Sequence, residues 1–404
     1  MKIAIIGGGA AGFFAAISAK THHPETQVHI FEKAKKPLIK VGLTGGGRCN
    51  ISNAESSFKN MIAAYPRGGK LLKKAFKEFD NKAIVKWFET RGVLTLTQED
   101  NCIFPQSQNS QTVIDCLIKE AKQLGITIHT EHSISAIEKK DEKLMLHFKD
   151  DQQKTFVFHK IIVTTGGAPQ KKSFLWLEKL GHRIEQPIPS LFTFNMPNES
   201  IKKLMGIVVE NAMVSLQGSK LKASGPLLIT HWGMSGPAIL KLSSFGARIL
   251  QERDYEFKVQ VNWVNIQNDN IVHDELNSII QQHPYKQLAN YRPYLITERL
   301  WHFLLKKAQI SLQKKWNELG KKHLNKIVHL LTNDIYQVEG KTTFREEFVT
   351  CGGVSLSSIN PQTLESLTCP NLYFAGEVLD IDGITGGYNL QAAWTTGFIA
   401  GKLQ

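Results

Sequence analysis

The chain has 404 residues, of which 42% are hydrophobic and 21% charged, and a formal net charge of +13. This composition excludes a chain dominated by disorder, and because single cores split beyond roughly 250–300 residues, two or three domains are expected. The five cysteines, Cys49, Cys102, Cys116, Cys351 and Cys369, form no CxxC pair, which argues against a disulfide framework or a paired-cysteine zinc site and suits a reducing, cytoplasmic compartment.

Lys2–Ile6 reads as a short apolar strand, Ala10–Lys20 as a small-residue helix and Val28–Phe31 as a second strand, together a βαβ unit. Met1-Lys2 followed by an Ala-rich run resembles a signal peptide. Gly7-Gly8-Gly9 would break the helix such a leader needs, so a buried strand and glycine turn is expected instead. Lys33–Asn53 reads as an ordered loop, with helical stretches following around Gly69–Asp80 and Lys82–Thr90. From Ile126 to Phe158 apolar and polar residues alternate as in strand hairpins, and Lys160–Thr164 is a buried strand that ends in Gly166-Gly167. Pro187 and Pro189 mark a linker into a second domain, strand-like from Leu191 to Val264 and helical in pattern from Asp274 to Leu331. Strand character returns at Thr350, with Leu372–Ala375 a strand, Gly376–Gly387 a loop and Tyr388–Gly401 an Ala-rich helix. No apolar run reaches the roughly 18 residues of a membrane span, so no membrane association is expected.

Gly7, Gly9 and Gly12 give the G-x-G-x-x-G spacing of a dinucleotide turn. The first allows the tight turn, the second close approach of a pyrophosphate, and the third packing of helix on strand. The helix N-terminus then faces the phosphates with its partial positive charge, and Ala11 lies in that first turn. Glu32, twenty residues past Gly12, stands where an acid accepts the ribose hydroxyls, with Lys33 beside it. At the other end, Gly376 and Glu377 close a strand and lead through an acidic loop to Gly386-Gly387-Tyr388-Asn389. A late strand, acidic loop and glycine-started helix suit a long dinucleotide such as FAD, with the helix N-terminus beside the flavin N1–C2 carbonyl. Glu377, Asp380 or Asp382 can bind its ribityl or phosphate side. The fold class expected is α/β, with a Rossmann-like FAD domain.

Four motifs carry a resemblance that runs from Ile3 to Gly401: Ile5-Ile6-Gly7-Gly8-Gly9-Ala10-Ala11-Gly12; Thr44-Gly45-Gly46-Gly47-Arg48-Cys49-Asn50; Thr230-His231-Trp232-Gly233-Met234-Ser235-Gly236-Pro237; and residues 375–391, AGEVLDIDGITGGYNLQ. The chain resembles the bacterial flavoproteins of the BaiN/RdsA type, also called YhiN-like or aminoacetone-oxidase-like. The resemblance implies an FAD domain made of both chain ends, with an inserted β-barrel-like domain that carries a helical subdomain. The expected segments are 1–188 and 349–404 for FAD, 189–270 and 333–348 for the β-rich domain, and 271–332 for a basic helical subdomain. It also implies flavin-dependent redox chemistry on substrates as different as uridine in 23S rRNA, 3-oxo bile acids and aminoacetone.

Three glycines let the backbone of the TGGGRCN loop approach a ligand. The resemblance places Gly45, Gly46, Gly47, Arg48 and Asn50 along the cofactor, with Thr44 at the head of the loop. Cys49 is either a proton donor near the flavin or a small packed residue. Thr165, Gly166 and Gly167, at a strand end, are further cofactor candidates. His231 is the candidate substrate acid, and Tyr388 either lines the flavin face or packs.

Residues 286–326 hold ten Lys/Arg and only two acids, Glu298 and Glu318. The pairs Lys306/Lys307, Lys314/Lys315 and Lys321/Lys322 recur at seven- to eight-residue steps, and would share a face on a continuous helix. Trp301 and Trp316 either pack inward or stack on bases. A second basic stretch holds Arg67, Lys70, Lys73, Lys74 and Lys77. Such a stretch is either a solvated helical face or a source of phosphate contacts, and with the rRNA substrate that the resemblance implies, rRNA is the partner expected for residues 286–326. The expected activity is hydride transfer through flavin N5 to a conjugated substrate, best specified as uridine to dihydrouridine in 23S rRNA. NAD(P)H is the expected electron donor; no second dinucleotide fingerprint occurs, so it either binds transiently or another donor serves. The competing readings are an enzyme of a small ketone, enone or amine, and an RNA-binding assembly factor with structural FAD.

Overall fold

The computed structural model describes residues 1–149, 155–342 and 349–404. The chain forms two compact units, Met1–Ser190 with Phe344–Gln404, and Leu191–Thr343.

The first unit is built on a parallel sheet of five strands: β1 (Lys2–Ile6), β2 (Gln27–Phe31), β3 (Thr127–His129), β4 (Lys160–Val163) and β5 (Leu372–Phe374). Their spatial order is β5-β4-β1-β2-β3. Ile3 to Ile6 are all buried, the unbroken apolar run expected of a strand covered on both faces. Helix α1 (Ala10–His22) and the C-terminal helix α2 (Tyr388–Gly401) run against each other. Both are apolar nearly all round, as buried helices are. Glycine brings their backbones together: a Cβ on Gly397 would lie 2.6 Å from the Ala11 carbonyl oxygen, and one on Gly401 2.4 Å from that of Ala15. The two ends of the chain therefore share one core.

Three antiparallel strands, Ile134–Lys140, Lys143–Phe148 and Thr155–Phe158, form the hairpins legible in the alternating sequence. Ile184–Pro189 pairs antiparallel with Thr350–Val354. The stretch read as a loop, Lys33–Asn53, contains a helix, Ile39–Gly47, which kinks where Thr44 turns extended (ψ 146°) and Gly45 and Gly46 turn left-handed.

In the second unit an antiparallel sheet runs in the order Asp334–Glu339, Glu256–Asn262, Val208–Leu216, Lys222–Ile229, Gly233–Ser235, Thr193–Asn195, Lys341–Thr342. Its two outer members are separated in the chain by Gly340 alone, which sits at φ 95°. One bent strand therefore pairs with Glu256–Asn262 through its first part and with Thr193–Asn195 through its second, which closes the sheet into a barrel.

Two expectations are corrected in this unit. The span Leu191–Val264 is not strand throughout, because Pro237–Glu252 is a helix. Pro237 occupies its first turn, where the missing N–H costs nothing, and Ile239, Leu242, Ser243, Gly246, Ala247 and Leu250 line its buried face. The basic region is not one continuous helix either. Glu298–Lys307 and Lys321–Thr332 are separate, and Lys314 and Lys315 lie between them, so the lysine pairs do not share a helical face. Trp301 and Trp316 are fully buried and stack on each other with centroids 6.2 Å apart, so they belong to the core rather than to a base-stacking surface. Among the described residues no helix is long and apolar enough to cross a membrane, and no His/Cys/Asp/Glu group is placed to hold a metal ion.

Candidate functional site

The candidate site lies at the carboxyl ends of the parallel strands, where open α/β sheets place their ligands. The glycine turn leaves β1, Glu32 ends β2, Thr164–Gly167 follow β4, and Gly376-Glu377 follow β5.

The three motif glycines have distinct constraints. Gly7 sits at φ 113°, and a Cβ there would meet the Thr164 carbonyl oxygen at 2.5 Å. A Cβ on Gly12 would lie 1.9 Å from the Gly7 carbonyl oxygen, so helix and strand approach only because no side chain intervenes. A Cβ on Gly9 would meet nothing within 4 Å. Gly9 caps α1 without a side-chain hydrogen bond, and among the described residues the N–H groups of Ala10 and Ala11 have no acceptor. Bare donors at an uncapped helix N-terminus, facing open space over a glycine, fit a pyrophosphate.

Glu32 occupies the position expected of the ribose acid. Its carboxylate also accepts N–H bonds from Gly8 and Ala34, each at 2.8 Å, which fixes its direction. An ionised carboxylate has about four lone-pair sites, so capacity remains for ribose hydroxyls. Lys33 is exposed.

On the far side of β1, Thr164 Oγ1 donates to the Ile6 and Gly7 carbonyls and ties the β4 end to the glycine turn. Thr165 is exposed, and Gly166, at φ 72°, and Gly167 pass beside Glu377, whose Oε1 would be 2.6 Å from a Cβ on Gly167. Glu377 accepts the Thr350 N–H at 2.8 Å and faces Lys40 Nζ at 3.4 Å. Thr350 Oγ1 is buried with no partner among the described residues, an orphaned hydroxyl beside this loop. Gly376 passes α1 so closely that a Cβ there would lie 2.8 Å from that of Ala11.

The TGGGRCN loop and the start of α2 meet. With its NH₂ toward the Ser52 and Ile103 carbonyls (2.8 and 3.2 Å), the Asn50 amide oxygen accepts the Gly387 N–H at 3.1 Å. Ser52 Oγ donates to Gln391 Oε1 at 2.6 Å, and Asn53 to the Gly386 carbonyl at 2.9 Å. A Cβ on Gly46 or Gly47 would enter open space, so these two glycines expose backbone, while one on Gly45 would strike Phe104 at 2.8 Å. Thr44 donates to the Val41 carbonyl. Arg48 lies over Phe104, 4.1 Å from the centroid, and hydrogen-bonds the Gly45 carbonyl and Gln108 through Nε and Nη1.

Several predicted ligand groups hold the protein itself. Asn389 bonds both the N–H and the carbonyl of Gly383, and Asp380 accepts the Gly352 N–H. Asp382 is fully buried and receives Arg67 and Ser190, an arrangement that spacing alone did not reveal. Burial pushes its carboxyl up, and the hydrogen bond and charge of Arg67 oppose that. Thr350, Lys40, Arg67 and Ser190 were not singled out for this site by any spacing, because only the fold brings them there. Cys49 is fully buried, with burial pushing its thiol up to about 12, so it packs and has no exposed face to offer a substrate. Tyr388 is buried edge-on against Tyr65, whose hydroxyl donates to the Tyr388 carbonyl at 2.7 Å. Burial pushes the Tyr388 hydroxyl up to about 12. In the second unit, His231 is exposed on the turn between Lys222–Ile229 and Gly233–Ser235, its ring edge-on to Trp232. Trp232 Nε1 is held by Thr193 Oγ1 at 3.0 Å, and a Cβ on Gly233 would strike the Phe194 carbonyl at 2.2 Å, so the turn is fixed.

A family model, the HI0933-like protein Rossmann domain, matches residues 1–403. The chain belongs to the HI0933-like family. This HI0933-like protein is an FAD-dependent oxidoreductase of Rossmann-type fold. It is 27% identical over 409 residues to a 3-dehydro-bile acid delta(4,6)-reductase of Clostridium scindens, covering 99% of this chain and 98% of that protein. It is 28% identical over 409 residues to the ribosomal RNA dihydrouridine synthase of Escherichia coli, covering 97% and 95%. Among solved structures, a 3-ketosteroid-delta4-(5alpha)-dehydrogenase from Rhodococcus jostii in complex with 4-androstene-3,17-dione matches in fold with a TM-score of 0.51 and 13% identity, over 100% of this chain and 96% of that one.

Proposed function

We propose that this flavoprotein reduces uridine to dihydrouridine in 23S rRNA in the cytoplasm, with NAD(P)H as a transient electron donor. Bound FAD supplies the hydride chemistry. In this reading the Ala10 and Ala11 N–H groups bind the pyrophosphate, Glu32 the ribose, and the bare backbone at Gly46-Gly47 and Gly166-Gly167 lies along the cofactor. His231 delivers the proton to the substrate, from a turn held rigid by Trp232 and Gly233.

One observation carries RNA over a small substrate. In the basic stretch 286–326, only Arg292 and Lys307 stand in ion pairs with carboxylates among the described residues, at 3.7 Å from Glu298 and 2.5 Å from Asp334. The remaining cations face solvent or bond only neutral groups, which leaves their charge available to phosphates. A second reading is favoured by the bile-acid reductase relative, of nearly equal identity: a small enone, which shares with uracil a double bond conjugated to a carbonyl. Comparison of 23S rRNA nucleosides from cells with and without the gene separates the two. Loss of one dihydrouridine is expected, and an unchanged nucleoside profile overturns the RNA reading.

A further inference from the structure

The helix Glu298–Lys307 has two faces. Leu300, Trp301, Leu304 and Leu305 are buried in the core of the second unit. Arg299, His302, Phe303 and Lys306 follow the spacing i, i+3, i+4, i+7 and so form a second stripe. That stripe lines an open groove of about 590 Å³, within the range of roughly 300–1,000 Å³ of ligand sites. Leu204 and the segment Gln309–Gln313 complete the lining; Ile310 is buried, while Gln309, Ser311 and Gln313 are exposed.

The lining has one sign of charge. Arg299 and Lys306 are exposed and unpaired by any carboxylate among the described residues, and no acid lines the groove. Arg299 Nη2 donates to the Lys203 carbonyl at 3.1 Å, which anchors its guanidinium. The half-buried Phe303 ring lies in the same stripe between the two cations. His302 Nε2 is buried without a hydrogen-bond partner among the described residues. Gln309 and Gln313 add amide groups, of which among the described residues only the Gln313 carbonyl is engaged, by Ser311 at 2.9 Å. Cations on either side of an aromatic ring along one helix stripe, with amides in the same groove, are what a single-stranded nucleic acid needs: phosphate contacts, a stacking platform and groups that meet base edges.

We propose that this groove binds a single-stranded segment of RNA, with Arg299 and Lys306 on successive phosphates and Phe303 against a base. The inference rests on the RNA reading above and names the surface that engages the RNA. The test is fluorescence anisotropy of a labelled single-stranded RNA oligonucleotide with the FAD-loaded protein across a salt series. The double variant Arg299→Gln/Lys306→Gln should bind about tenfold more weakly at low salt, with the log K against log salt slope shallower by about 1.4. Phe303→Leu, which keeps the side chain apolar, should weaken binding without changing the slope. Lys139→Gln/Lys140→Gln, which removes equal charge from an exposed hairpin elsewhere, should change the affinity much less. Equal losses in the two double variants would show bulk charge and overturn the groove. RNA binding indifferent to Arg299 and Lys306 overturns the groove alone, whereas wild-type protein that binds no RNA removes the RNA reading itself. Equal, Arg299-dependent binding to vesicles of anionic phospholipid would replace RNA by a membrane surface and overturn the proposal.

Discussion

The Glu32 carboxylate accepts the Gly8 N–H at 2.8 Å, so the acid at the end of β2 is tied to the glycine turn at the end of β1. A second bond, from Ala34, holds its other oxygen. Glu32 therefore holds the fold of the turn, and in the proposed reading it binds the cofactor ribose as well. Glu32→Ala should lower the stability of the FAD-free protein by about 1–3 kcal/mol, because two backbone donors lose their acceptor. It should also weaken FAD binding. Denaturant melts of the apo-protein check the first effect and flavin titration the second; an apo-protein of unchanged stability would restrict Glu32 to the ribose.

Gly9 and Gly12 should respond to substitution in opposite ways. Gly9 is extended and a Cβ there meets nothing, so Gly9→Asp should fold normally yet retain no FAD, since its carboxylate repels the pyrophosphate. Gly12→Ala forces a contact at 1.9 Å and should fail to fold stably. Circular dichroism with flavin absorbance distinguishes them, and full flavin content in Gly9→Asp would refute the placement of the phosphates.

The Arg67–Asp382 pair is buried beside Ser190. Asp382→Ala removes the carboxylate from a buried ion pair and should cost about 3–5 kcal/mol. Thermal unfolding measures this, and a loss below about 1 kcal/mol, the scale of exposed pairs, would show that the pair is solvated.

Cys49 should not act in turnover. Cys49→Ala should keep flavin content and the rate within a fewfold, where loss of a proton donor would cost about 10²–10⁴. Its buried thiol also links stability to pH. Burial raises Cys49 to about 12 and Cys102 and Cys116 to about 11 in the fold. The unfolded chain releases these protons from about pH 8.5, while the folded chain keeps them, so the contribution is full below that pH and falls through the alkaline range up to about 12. The melting temperature should decline above pH 9, less steeply in Cys49→Ala; identical slopes would contradict the linkage.

Much of the cofactor end was legible because each glycine there meets a local constraint: a turn, a backbone contact or open space. Glu32 stands at the strand end where the spacing puts it, since strand length fixes where the acid lies. Long-range pairings were not legible. Nothing in the sequence near Arg67 indicates Asp382, and nothing at Lys40 or Thr350 indicates Glu377. The helix Pro237–Glu252 is signalled by Pro237 and by the spacing of its buried residues, but it lies among strands and glycine turns whose pattern masks that signal. The lysine pairs at 306, 314 and 321 suggested a helical face, yet the chain breaks between them, and Trp301 and Trp316 were drawn into the core by their area. What survives of that face is the shorter stripe Arg299–Lys306.

The central claim is that both ends of the chain build one FAD site, and the most direct measurement is the flavin released when the purified protein is denatured. The account predicts yellow protein that releases stoichiometric FAD, identified by chromatography against FMN and riboflavin. A colourless protein that takes up no FAD on reconstitution would contradict it.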